Sequence, residues 1–196
     1  MKIENLSIRA YDAAKDLRAL SSIWFEASRL AHAFIGEQRL SEQRILIEEK
    51  YLPNAETWVA CLDGTAVGFI SLLDTFIGGL FVAPDRQGLG VGRALIAHAL
   101  ALKGELELEV YTGNAQAFRF YESLGFIEQS RRAEDDEGQP FENAHMRLTR
   151  GPTSRKPSSA ASGTQCPPAI EAAHHFPAPS GAARSGHRDK KRLDGV

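Results

Sequence analysis

One stretch, "FIGGLFVAPDRQGLGVGRALIAHAL" at residues 76–100, constrains the fold of this chain more than any other. An apolar run of strand length enters a loop with glycine at three alternate positions, Gly88, Gly90 and Gly92, and a helical pattern follows at once. Loop amides at a helix N-terminus form a cradle for phosphate. Those N–H groups have no partner in the first helical turn, and the helix dipole adds positive potential. Arg86 and Arg93 add charge beside it. Such a loop also serves as a tight surface turn or a close-packed joint, so its meaning depends on what surrounds it.

Two phosphate-binding patterns fail against the letters. The P-loop needs Gly-Lys-Ser/Thr at its close, and here Gly92 is followed by Arg93 and Ala94. The dinucleotide fingerprint needs G-x-G-x-x-G at the opening of the fold, with an acid about 20 residues on. Here the spacing is G-x-G-x-G, in mid-chain, after several strands. Gly78 and Gly79, inside the preceding strand, are costly there unless they mark a bulge or a close backbone approach. A long ligand with its phosphates on the loop and its arm along that strand fits both features.

The rest of the pattern supplies the frame. Residues 6–11 alternate and predict a first strand. Asp12 is placed to cap an amphipathic helix whose apolar positions are Leu17, Leu20, Ile23, Trp24, Ala27, Leu30, Ala31 and Phe34. Ser41 precedes a second helix, carrying Ile45 and Leu46 on its apolar side, and Pro53 marks its end. Two β-rich runs flank Asp63-Gly64, a type I′ hairpin signal. The helix after the glycine loop, from about 90 to 103, is apolar nearly all round and is expected to be well buried. "ELELEVY" alternates, with Leu106, Leu108 and Val110 on one face and Glu105, Glu107 and Glu109 on the other. Asn114 caps a further helix that ends at Leu124-Gly125, and two last strands flank "DEGQP" at 136–140. The order predicts a mixed α/β (α+β) fold: a mostly antiparallel twisted sheet of about seven strands, with four helices on its two faces.

Composition changes sharply near Gly151. Residues 1–150 read as the one folded domain. Residues 151–196 are rich in Pro, Ser, Ala and Gly without periodicity and are expected to be disordered. That tail holds seven Lys+Arg against three acids, leaving 16 against 22 for the domain. An acidic domain argues against a nucleic-acid partner and mildly favours a cationic one. No apolar run reaches the roughly 18 residues of a membrane span. "MKIENLSIRA" lacks the features of a signal peptide, and Cys61 and Cys166 make neither a disulfide framework nor a metal motif. A cytoplasmic protein without membrane or metal partners, monomer or homodimer, is the expectation.

"VAPDRQGLGVGRAL" resembles the acetyl-CoA loop of the GNAT superfamily of N-acetyltransferases, Q/R-x-x-G-x-G/A, with Gln87, Gly90 and Gly92 in those places. "NAQAFRFYESLGF" is similar to the superfamily's N-x-x-A-x-x-F-Y-x-x-x-G-F element through Asn114, Ala117, Phe120, Tyr121, Gly125 and Phe126. The likeness runs from about residue 6 to 150. It is strongest to small bacterial members of the YjaB type, through "WVAC", "DDEGQPF" and a helix-one histidine in "LAHAFI".

The resemblance implies acetyl-CoA as co-substrate and an amine-bearing acceptor, a small molecule or a protein or peptide amine. It places Leu80, Phe81 and Val82 of the strand, and Gln87, Gly88, Leu89, Gly90, Val91, Gly92 and Arg93 of the loop, against the donor. Asn114, Ala117, Phe120 and Tyr121 join them. Strand amides would polarise the thioester carbonyl, and Tyr121 would protonate the leaving thiolate. Tyr121 also fits as a packed core aromatic, and Asn114 as a simple cap. Many members carry a glutamate on the fourth strand, which here has no carboxylate. His32 near the end of helix one, Glu109 on the "ELELEVY" strand, or a water chain could take the proton. His145 is a weaker candidate, and His98 reads as structural. A non-catalytic acyl-CoA sensor is the alternative reading.

Overall fold

A computed structural model describes residues 3–31, 36–134, 138, 140–150 and 172–174 of the 196-residue chain. The strands are β1 (Leu6–Ala10), β2 (Glu56–Leu62), β3 (Thr65–Leu73), β4 (Phe76–Val82), β5 (Glu105–Tyr111), β6 (Ile127–Arg132), β7 (Asn143–Thr149) and β8 (Ala172–His174). The helices are α1 (Ala13–Ala31), α2 (Glu37–Leu46), α3 (Val91–Lys103) and α4 (Ala115–Leu124). α2 runs on through a π-helical turn at Ile47–Tyr51 and a last turn at Leu52–Asn54. Seven strands lie in the order β1-β2-β3-β4-β5-β7-β6, and β8 pairs with β4 off that path. Every neighbouring pair is antiparallel except β4 with β5.

Two apolar clusters hold the layers together. Leu20, Ile23, Trp24 and Ala27 of α1 pack on Val59, Cys61, Phe69 and Phe81, with Leu40, Ile47 and Leu52 of the α2 segment. On the other face Val91, Leu95, Ile96 and Ala99 of α3, and Ala117, Phe120 and Tyr121 of α4, cover Ile70, Leu80, Val82, Leu106, Leu108, Val110 and Met146. The mixed fold with helices on both faces is as the pattern predicted. Among the described residues no helix is long and apolar enough to cross a membrane.

Local signals account for most boundaries. Asp12 Oδ1 accepts from the Ala14 N–H, and Asp16 Oδ2 accepts from the Asp12 N–H, closing the start of α1 reciprocally. Asp63 and Gly64 have φ of 49° and 80°, both left-handed as a type I′ turn requires. Asn114 Oδ1 accepts from the Ala117 N–H at 3.0 Å, and Gly125 ends α4 with φ 95°.

Four details differ from the sequence pattern. α2 begins at Glu37, and Ser41 lies inside it, donating its hydroxyl to the Glu37 carbonyl. Ile45 and Leu46 are exposed, while Leu40 and Ile47, seven residues apart on one helix face, carry the apolar contact, and the π turn after them brings Leu52 to the same side. Leu30, expected on the apolar face of α1, is half exposed, and Leu102 is half exposed too, so α3 is not buried all round. Residues 172–174 of the segment read as disordered form β8. The other tail residues, Phe34 and most of the 136–140 turn lie outside the described residues.

Candidate functional site

β4 leads into the glycine loop. Its outer edge pairs with β3 along its length, with a register shift that sets Ser71 opposite Gly79 and Leu72 opposite Ile77. Gly78 is therefore the extra residue of a bulge, one of the two reasons expected for glycine there. Gly79 has the other reason: a Cβ at that position would lie 2.6 Å from Cε2 of Phe81. That ring is held by Phe69, with centroids 5.3 Å apart, and by Trp24 at 6.4 Å. Leu80, Phe81 and Val82 are buried, so this strand offers a ligand its main chain alone.

The inner edge of β4 is joined to β5 only at its start. Phe76 pairs with Glu107, and the Glu107 N–H donates to the Thr75 carbonyl at 3.0 Å. Beyond that point β4 and β5 share no ladder, and the sheet opens.

A single 3-10 turn at Pro84–Arg86 follows β4. Gln87 folds back, donating Nε2 to the Val82 carbonyl at 3.1 Å. Gly88 and Gly90 have φ of 75° and 88°, a backbone that L side chains resist. Gly90 stands at the N-cap of α3 and brings no side chain to the first-turn amides. Val91 and Gly92 are buried, while Gly88, Leu89 and Arg93 are exposed. Arg86 pairs with Asp85 at 3.2 Å. Uncapped amides, left-handed glycines and the dipole of a 13-residue helix together make a place that fits a pyrophosphate.

The second motif lies on the other side of the opening. Asn114, Ala117, Phe120 and Tyr121 are all buried. The Tyr121 ring meets Phe120 and Phe126 edge-on, with centroids 5.2 and 5.3 Å away. Tyr121 shares its cluster with Leu80 and Val82 of β4 and with Leu108 and Val110 of β5. It thus belongs to the apolar layer on the α3/α4 face of both strands.

Glu105, Glu107 and Glu109 alternate with that buried set and face the opposite side of the sheet. Glu105 pairs with Arg147. The carboxylate's hydrogen bond raises the Arg147 pKa above the ordinary guanidinium value. His145 Nε2 lies 3.5 Å from Glu107. Glu109 pairs with Arg132 of β6 and stands opposite His145 in the β5–β7 register. The expected candidates Glu109 and Tyr121 therefore flank the sheet from its two faces, and Glu109 has a cation partner that sequence reading missed. The shift in β6–β7 pairing between Glu128 and Ser130 decides which arginine can reach it. His32 lies outside the described residues. His98 packs edge-on against Trp58, with centroids 4.4 Å apart. Among the described residues no group of three or more His, Cys, Asp or Glu could hold a metal ion. A separate open concavity of about 650 Å³ runs along α2 past Gly36, Arg39 and Glu42, and none of its lining residues is a predicted site residue.

Comparison with known proteins shows the family and the fold. The family described as the acetyltransferase (GNAT) domain matches residues 53–128. The peptidyl-lysine N-acetyltransferase YjaB of Escherichia coli (strain K12) is 37% identical over 123 residues, 62% of this chain and 83% of that protein. The solution structure of apo-form YjaB from Escherichia coli has a TM-score of 0.66 at 34% identity, covering 72% of this chain and 96% of that one. The structure of yncA from Salmonella typhimurium, solved with its cofactor acetyl-CoA, shares the fold at 22% identity and a TM-score of 0.55, covering 77% and 98%.

Proposed function

The chain belongs to the GNAT family of acetyltransferases and is an acyltransferase of the YjaB type, and from this premise we propose that it acetylates the amine of a lysine side chain in a peptide or protein. Transfer is direct, with acetyl-CoA and acceptor bound together. The observation that carries the reading is the opening between β4 and β5, with the uncapped start of α3 following β4 and Tyr121 in one apolar cluster with both strands.

Acetyl-CoA supplies a thioester whose carbonyl carbon takes the amine. The chain's own groups do the rest. Amides of residues 88–93 hold the pyrophosphate, and Gln87 fixes the loop to β4. Main-chain N–H groups of β4 polarise the thioester carbonyl as its oxygen gains charge. Glu109, oriented by Arg132, takes a proton from the acceptor ammonium on the β5 acid face. Tyr121 gives its phenolic proton to the departing thiolate from the other face, and the second proton shed by the attacking nitrogen returns through water to the phenolate. Asn114 caps α4 and so fixes the helix that carries Tyr121. The name of the 37%-identical relative favours a lysine acceptor, and the acid row of β5 suits a cation. A passive sensor has no observation in its favour.

The test is an initial-rate study of the full chain with acetyl-CoA and lysine-bearing peptides, with polyamines and free amino acids as rivals. Thiol release should match acetyl-peptide one for one, with intersecting reciprocal plots. Parallel plots would replace direct transfer by an acyl-enzyme route. Faster turnover of polyamines would move the acceptor class.

A further inference from the structure

Past Phe76 the inner edge of β4 does not stand open. Gly79, Leu80 and Phe81 pair antiparallel with His174, Ala173 and Ala172 of β8. β8 also approaches β5 and α1, so it lies in the opening of the sheet. It lies well beyond residues 53–128, the stretch that matches the family.

We propose that the inner edge of β4 is a docking surface for the chain's own residues 172–174, and that this segment and the acyl-CoA arm exclude one another there. The inference rests on the reading of β4 as the platform for that arm. An edge strand presents a single row of N–H and C=O groups. Each N–H makes one good hydrogen bond, so a strand paired there withdraws the donors that the thioester and its arm would use. An edge left bare would also invite pairing with another chain, and β8 covers it.

A three-residue strand binds weakly by itself. Here it is tethered. Residues 151–171 link it to the end of β7, and a linker of that length reaches roughly 70 Å when extended, ample for docking in cis. A covalent tether long enough to span the distance gives an effective concentration in the mM range, independent of how much protein is present. Docking therefore reduces the fraction of molecules ready for the donor, and the apparent dissociation constant rises by the inverse of that fraction. Saturating donor displaces β8, so the maximal rate is untouched.

The experiment uses the full chain and its Ala172→Pro/Ala173→Pro variant. Proline has no N–H and does not fit a paired strand, whichever of the two positions faces β4. Acetyl-CoA binding is measured by calorimetry and turnover with a lysine peptide. The variant should bind acetyl-CoA about 3–10-fold more tightly, with KM lowered by the same factor and kcat unchanged. Equal affinity and equal KM in the two proteins overturn the docking while leaving the donor platform in place. Failure of both proteins to bind acetyl-CoA at mM concentration overturns the platform and the docking together.

Discussion

Glu109 and Arg132 form an ion pair across β7, the carboxylate reaching from β5 and the guanidinium from β6. The pair fixes the acid on the sheet face opposite Tyr121. Glu109→Gln keeps the shape and removes the proton acceptor. It should lower kcat about 100-fold and leave KM for acetyl-CoA within about twofold, measured in steady-state rates with a lysine peptide. A loss below about threefold would pass the role to water or another group.

Tyr121→Phe removes one hydroxyl and keeps the ring against Phe120 and Phe126. The expected result is a kcat lowered about 100-fold with the acetyl-CoA dissociation constant nearly unchanged by calorimetry. Unaltered turnover would leave Tyr121 as a core aromatic only.

The two kinds of glycine should respond differently to alanine. At Gly90 a Cβ meets only Ile3 Cδ1, at 3.6 Å, so the cost is the φ of 88° alone, about 1–2 kcal/mol. Gly90→Ala should also weaken acetyl-CoA binding as the loop shifts. At Gly79 the cost is steric, because Phe81 is wedged between Phe69 and Trp24. Gly79→Ala should destabilise by about 1–3 kcal/mol in urea unfolding.

Asp16 is buried and accepts from both terminal nitrogens of Arg9, at 2.6 and 2.7 Å, and from the Asp12 N–H. The Arg9 hydrogen bonds, against the burial penalty, hold its pKa below the ordinary value of 3.8. A depressed carboxylate pKa stabilises the fold above the unfolded value. That stability is lost as pH falls from about 4 toward the folded pKa. Asp16→Asn should cost about 1–3 kcal/mol at pH 7 and remove that acid-sensitive limb from urea midpoints taken between pH 7 and 3. Arg9 remains partly solvated, which keeps the loss below that of breaking a fully buried pair.

Much of the backbone around the glycine loop was legible because it depends on local rules. Left-handed glycines at 88, 90 and 125, the Asp63-Gly64 turn and the Asn114 cap each declare themselves in one or two letters. The bulge and close approach at Gly78 and Gly79 were legible for the same reason. α2 was misplaced because Ser41 satisfies its hydroxyl on a backbone carbonyl, where a cap was expected, and because its buried face runs through Leu40 and Ile47, with Ile45 and Leu46 turned outward. The partner of Glu109 depends on a slip in the β6–β7 ladder, a long-range fact no short window contains. β8 has neither alternation nor a turn signal, and only the free edge of β4 gives its residues a place.

The junction of β4 and β5 has one more consequence. With a single paired position between them, the two halves of the sheet are bonded less by peptide groups than by side chains: Leu80 and Val82 against Leu106, Leu108, Ala117 and Tyr121. Apolar contact weakens on cooling, whereas a hydrogen-bonded ladder does not share that temperature dependence. The width of the opening between β4 and β5 is thus set by the most temperature-sensitive force in the molecule, and cold should loosen it first.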